Sequence, residues 1–424
     1  MTTVVIEEAH ELSGRLEAPP SKSYTHRAVI AASLAPGASR ICNALLSEDT
    51  VATVTACSAL GAQITHHDRL VTVVGTGELH APVDPIDCRE SASTLRFLTP
   101  IAALAEGITV LTGSPGLKRR PIEPLLRALH QLGVTCTSSR GFPPVSVVGG
   151  GIPGGYTSLV GNVTSQFISG LLFACPRAAQ DTTIEVTTPL ESKPYVELTR
   201  TLIEKHGVAI RASQDLRRFD IAGGQHYQAQ EHLVPGDFSS AAFLLAAAAL
   251  TPSNIVVSNL HSPMPDDEIL TLLRRMQGRL RVQEDVVEVE GADLSAIDID
   301  ARDIPDLVMP CAILACCAEG ETRIYHAQRL RLKESNRLAA LSTELTKMGA
   351  DIRETRDGLR IRGPCALHGA TVTPHNDHRI AMACAVAGLR AAGHTVILNA
   401  ECVNKSYPTF FEDLRTLGAK IRVQ

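Results

Sequence analysis

With 424 residues the chain is longer than one hydrophobic core supports, and two domains of about 200 residues each are expected. A globular composition (44 % hydrophobic, 20 % charged), a net charge of −5, no tryptophan and 4 % aromatic residues argue against a nucleic-acid binder, which would carry a basic surplus and stacking platforms. The longest apolar runs, 241–250 and 308–318, are too short for a membrane span. The eleven cysteines form no C-x-x-C pair and the histidines no H-E-x-x-H spacing, so no structural or catalytic metal is expected, and the thiols suit a reducing cytosol.

In chain order, "TTVVI" (2–6) reads as a strand, with no signal or transit peptide visible before it. "APPSKSYTHRAVIAASLAPG" (18–37) follows, and predicts a helix from Tyr24 to Leu34 that stops at Pro36-Gly37. Ser21, Lys22 and Ser23 stand at its mouth and Arg27 one turn further in. A cation in the first turn opposes the helix dipole, so the cluster is either a serine cap with two solvated cations or a site for a multiply charged anion. "GLKRRPIEPLLRAL" (116–129) sets Lys118, Arg119 and Arg120 before Pro121, read as the first residue of a helix. "VVGGGIPGG" (147–155) lacks the lysine of a phosphate loop and reads as a turn. "GNVTSQFISGLL" (161–172) brings Thr164, Ser165 and Gln166 to a helix start.

In the second half, "VPGDFSS" (234–240) opens an alanine-rich helix. In "DIPDLVMP" (303–310) Asp306 precedes an apolar helix, as a cap or as a base. "RLRLKESNRLAAL" (329–341) embeds Glu334 among Arg329, Arg331, Lys333 and Arg337, neighbours that favour its ionised form. "HNDHRIAMACAVAGL" (375–389) starts a helix with Asp377, His378 and Arg379, and "NKSYPTFFEDL" (404–414) sets Lys405 before a proline-started helix. Each cluster alone could be a solvated turn. Their recurrence at loop–helix junctions of an acidic chain points instead to a cleft that binds a polyanionic small molecule with phosphate and carboxylate groups.

A repeat organises these clusters. A helical segment, a glycine and a β-prone run recur six times, at Gly61, Gly133, Gly207, Gly278, Gly349 and Gly418, spaced 72, 74, 71, 71 and 69 residues apart. Each glycine reads as a helix terminator. The halves also match at an offset near 215: Leu34, Pro36 and Asn43 align with Leu250, Pro252 and Asn259, and Lys193 with Lys405. Three units of about 71 residues therefore make a domain. The expected division is 21–234 against 1–20 plus 235–424, with residues 2–12 supplying a strand that completes the second domain. The chain would then cross twice beside an interdomain cleft holding the active site, which suits a closing enzyme.

The motifs S-K-S-x-x-x-R, K-x-R-P-I, S-Q-F, S-K-P-Y, G-D-x-S-S-A, I-P-D, K-E-S-x-R, N-D-H-R-x-A-M and N-K-S-Y-P run nearly end to end. With them the chain resembles the 5-enolpyruvylshikimate-3-phosphate synthase family. The resemblance implies an α/β (α+β) fold: a two-domain inside-out α/β barrel, three βαβαββ units per domain, helices inside and sheets outside. It implies transfer of the enolpyruvyl group of phosphoenolpyruvate to the 5-hydroxyl of shikimate 3-phosphate, with release of phosphate and without cofactor; a cytoplasmic monomer is expected.

By the same resemblance Ser23, Arg27, Thr164, Ser165, Gln166, Ser192, Tyr195, Asp306 and Lys333 hold shikimate 3-phosphate. Lys22, Ala92, Arg120, Gln166, Arg337, Arg379 and Lys405 hold phosphoenolpyruvate. Asp306 takes the 5-hydroxyl proton, Glu334 handles the proton at the methylene carbon, and Lys22 assists the departing phosphate. Three positions depart from the family pattern: the N-A-G-T-x-x-R loop is Glu90-Ser91-Ala92-Ser93-Thr94-Leu95-Arg96, Arg329 stands where many members have Asn, and Asn336 replaces Asp. Ala92 in place of glycine shortens the phosphoenolpyruvate site, which implies insensitivity to the longer inhibitor glyphosate. The rival within the fold is a UDP-N-acetylglucosamine enolpyruvyl transferase, which would carry K-N where this chain has Lys22-Ser23.

Overall fold

The computed structural model describes residues 2–424, which fall into two compact units, 20–234 and 2–19 with 235–424. Among the described residues the order strand–helix–strand–helix–strand–strand occurs six times. The first copy runs through strand Leu12–Glu17, helix Lys22–Leu34, strand Gly37–Cys42, helix Glu48–Ala59 and strands Gln63–His67 and Leu70–Gly75. The sixth ends on strand Ile421–Val423 and is completed from the other end of the chain: Val4–Glu7 lies antiparallel between Ile421–Val423 and His394–Ile397. The amino-terminal segment thus supplies two strands rather than one. Its second, Leu12–Glu17, lies parallel to Ser253–Ser258. Within residues 20–234, the strand Glu231–Leu233 lies parallel to Gly37–Cys42.

The described strands form six four-stranded sheets, three in each unit. Burial alternates along inner strands such as Val286–Glu290 and Leu70–Gly75, so one face packs inward and the other meets water. The inner faces cover helices buried on every side. All thirteen residues of Phe238–Leu250 and all eleven of His378–Gly388 are buried. Neither helix has the polar stripe of a surface helix, and alanine-rich sequences let them approach closely. In the other unit a Cβ added at Gly170 would stand 2.5 Å from the Arg96 carbonyl oxygen, so the helices Gln166–Ala174 and Ala92–Ala102 meet as tightly as they do only because residue 170 has no side chain.

The repeat glycines end their helices at positive φ in five copies, from 81° at Gly207 to 115° at Gly61. In the fourth copy the left-handed residue is Gln277 (φ 66°), not Gly278. Helix starts shift too. The first helix begins at Lys22, two residues before the expected Tyr24. Pro121 lies outside its helix, which begins at Glu123 with Pro124 filling the first turn. The last helix begins at Phe410, beyond Pro408.

Candidate active site

In residues 20–234, Ser21 caps the helix Lys22–Leu34 by accepting from the Tyr24 amide at 3.3 Å. The cap is real, but the cations behind it are not solvated. Lys22 Nζ sits 3.0 Å from Asp49, at side-chain exposures of 14 % and 10 %. Arg27 is buried: Nε donates to Thr199 Oγ1 at 2.8 Å, Nη1 to the Ser23 carbonyl at 2.9 Å and Nη2 to the Tyr195 carbonyl at 3.1 Å. Burial lowers its pKa to about 10, with Tyr195 opposing, and the guanidinium lies over the Phe97 ring. Ser192 precedes the helix Lys193–Lys205 in a left-handed conformation (φ 58°).

A second group surrounds the helix Ala92–Ala102. Ala92 is its first residue, and the Ser91 side chain accepts from the Thr94 amide. Arg96 Nη1 donates to Gln166 Oε1 at 2.8 Å, and Gln166 Nε2 donates to Ser93 Oγ at 2.8 Å. Thr164 Oγ1 accepts from the Gln166 amide, and Ser165 is the cap residue of the helix Gln166–Ala174. Arg120 is buried directly after the 3₁₀ turn Leu117–Arg119. The carboxylate of Glu90 lies over this loop, since a Cβ on Gly116 would meet its two oxygens at 2.5 and 2.9 Å.

The other unit gathers Asp306, Lys333, Glu334 and Arg379 into one ion-pair network centred on Arg337, which is 1 % exposed. Nη1 donates to Asp306 Oδ1 at 2.9 Å, Nη2 to Glu334 Oε2 at 2.7 Å, and Nε to Asp377 Oδ2 at 2.8 Å. Arg379 Nη2 reaches Asp306 Oδ2 at 3.2 Å, and Lys333 Nζ is 4.0 Å from Asp306 Oδ1. Burial alone would raise the Asp306 carboxyl, but Arg379, Lys333 and Arg337 hold it far below the usual carboxylate range. Burial would likewise strip the charge from Arg337, and Asp377, Glu334 and Asp306 more than offset it. Lys333 has less support, and burial brings its pKa down to about 8 despite Asp306. Lys405 Nζ donates to the Asn376 carbonyl at 2.7 Å.

Asp306 lies in the 3₁₀ turn Pro305–Leu307, where it caps no helix and pairs with cations. Asn336 caps the helix Arg337–Lys347, with Oδ1 accepting from the Ala339 amide at 3.3 Å, which an aspartate could do equally well. Arg329 is buried and donates to the Arg302 carbonyl. Three residues given no role by the sequence matter here. Asp49 holds Lys22 and Thr199 holds Arg27. Asp377, fully buried, accepts from Arg337, Ser335 Oγ and the Arg379 amide. Asp377 stood in view within N-D-H-R, but its partner is forty residues away.

The fold is that of the enolpyruvyl transferases. The crystal structure of the enolpyruvyl transferase NikO from Streptomyces tendae superposes with a TM-score of 0.81 over 100 % of this chain and 99 % of that one, at 21 % identity, a likeness of fold alone. EPSP synthase from Acinetobacter baumannii superposes with a TM-score of 0.84 at 27 % identity, covering 100 % and 99 % of the two chains. Within that class, the EPSP synthase (3-phosphoshikimate 1-carboxyvinyltransferase) family model matches residues 6–414. A 3-phosphoshikimate 1-carboxyvinyltransferase of Methanocella arvoryzae is 49 % identical over 415 residues, 97 % of each chain. The chain belongs to the EPSP synthase family. That membership favours shikimate 3-phosphate over a UDP-sugar as the acceptor.

Proposed function

We propose that the enolpyruvyl transfer of this family is carried by the Arg337 network together with the Lys22 and Arg27 cluster. The 5-hydroxyl oxygen of shikimate 3-phosphate bonds to C2 of phosphoenolpyruvate as its proton passes to Asp306. Glu334 gives C3 a proton that it takes from solvent once the bound anions draw Arg337 away. Phosphate then leaves C2 as a proton returns from C3 to Glu334, restoring the double bond, and the departing phosphate carries off the proton on Asp306. The observation that supports this most is that both proton carriers sit on one buried guanidinium, at 2.9 and 2.7 Å. In the free protein Asp306 is too strongly paired to be an effective base. Anions bound at Arg337, Arg379 and Lys333 compete for those cations, which returns basicity to Asp306 as the substrates arrive. The cations also offset the repulsion between two multiply charged substrates.

Ser23, Arg27, Thr164, Ser165, Gln166, Ser192, Tyr195 and Lys333 are assigned to shikimate 3-phosphate. Lys22, Arg120, Gln166, Arg337, Arg379 and Lys405 are assigned to phosphoenolpyruvate. Ala92, at the head of its helix, narrows the second site and makes the enzyme insensitive to glyphosate. Eleven free thiols suit a cytosolic enzyme, and we assign it as a monomer. Phosphate release in the presence of phosphoenolpyruvate is the test: shikimate 3-phosphate should support it and UDP-N-acetylglucosamine should not. Glu334→Gln and Asp306→Asn should each lower turnover by about 10²–10⁴-fold with near-ultraviolet circular dichroism unchanged. A folded variant keeping more than about a tenth of turnover would remove that residue from its role.

A further inference from the structure

Behind the Arg337 network lies a buried carboxylate that the reaction does not use. Glu344 is 0 % exposed and sits in the same helix as Arg337, Arg337–Lys347. Seven residues separate the two, so they share a helical face two turns apart. Both reach the segment 373–377. Arg337 grips its end through Asp377 at 2.8 Å. Glu344 grips its beginning: Oε2 accepts from the Thr373 amide at 3.0 Å, and Oε1 contacts His375 Nε2 at 2.8 Å. Lys347 Nζ adds a third contact to Oε2 at 2.7 Å. Burial alone would raise the Glu344 carboxyl, but Lys347, the Thr373 amide and His375 hold it below its ordinary value.

The clamped segment has unusual backbone. His375 and Asn376 are consecutive non-glycine residues in the left-handed region, with φ of 53° and 58°. Such conformations are costly and persist only where the surroundings over-determine them. This turn aims the Asn376 carbonyl at Lys405 Nζ and delivers Asp377 to the start of the helix that carries Arg379.

We propose that Glu344 is a positioning residue for phosphoenolpyruvate binding, fixing the His375–Asn376 turn and through it Lys405. The proposal rests on the assignment of Lys405 to phosphoenolpyruvate. Without the carboxylate the turn keeps the Asp377 amide bond to the Pro374 carbonyl but loses its hold at Thr373 and His375, so the Asn376 carbonyl orients the Lys405 ammonium group less firmly.

Steady-state kinetics on four proteins test it: wild type, Glu344→Gln, Lys405→Met and the double variant. Glu344→Gln should raise KM for phosphoenolpyruvate about fivefold or more, as expected when a charge-assisted bond is lost, with kcat and KM for shikimate 3-phosphate within threefold. In the Lys405→Met background the same substitution should leave KM for phosphoenolpyruvate unchanged, because the route to the substrate is already cut. If Lys405→Met leaves KM for phosphoenolpyruvate unchanged, the assignment of Lys405 fails. If Lys405→Met raises it and Glu344→Gln does not, the positioning role fails. Equal losses for both substrates, or effects that simply add in the double variant, show Glu344 to be structural only. Should Glu344→Gln fail to fold, His375→Ala removes one of its contacts from the more open side and must raise KM for phosphoenolpyruvate selectively, or the proposal is overturned.

Discussion

Asp377→Asn removes the charge from the most enclosed part of the Arg337 network while changing almost nothing in shape. The helix His378–Gly388 keeps a good cap, since asparagine caps as well as aspartate. What is lost is the pairing with Arg337, whose Nε and Nη2 lie 2.8 and 3.3 Å from the Asp377 oxygens at side-chain exposures of 2 % and 0 %. Breaking a buried pair by removing one partner costs about 3–5 kcal/mol. Arg337 still has Glu334 and Asp306, which places the loss near the lower end, about 3 kcal/mol. At about 2–4 °C per kcal/mol for a domain of this size, the unit containing Asp377 should melt roughly 6–12 °C lower by scanning calorimetry. The exposed pair Arg127–Glu123, at 73 % and 42 % exposure, is the comparison. Glu123→Gln there should cost only about 0.3–0.5 kcal/mol. A melting temperature for Asp377→Asn within 2 °C of wild type would refute the claim that this buried pair stabilises the network.

Two further outcomes follow from the same geometry. Because Lys333 titrates near pH 8 in the free protein and must be cationic to hold an anion, kcat/KM for shikimate 3-phosphate should fall above about pH 8, and Lys333→Arg should remove that limb. The sign for stability is opposite: protonated Lys333 is disfavoured in the fold, and this cost disappears as pH rises from about 8 towards its ordinary 10.5. Ala92→Gly should lower the glyphosate inhibition constant at fixed phosphoenolpyruvate by about 5–150-fold, the equivalent of the roughly 1–3 kcal/mol for one methyl group too many in a packed site. Equal inhibition constants in the two proteins would show that the methyl group does not set sensitivity.

The sequence by itself determined the repeat, the elements and the residue types of the site. Helix termination is local chemistry, so a glycine every 69–74 residues announced six units, and Ser21 and Asn336 are caps written within three residues of the amides they satisfy. Cations at helix mouths were legible for the same reason. The tertiary structure decided what those charges face. Lys22 and Asp49 are 27 residues apart and Arg337 and Asp377 forty, and no local pattern pairs them. It also decided that Arg27 is buried and Arg127 exposed, since burial depends on which helices the sheets enclose. The clamp by Glu344 was invisible for both reasons: its partners lie 29 and 31 residues away, and the left-handed turn it holds contains no glycine to mark it.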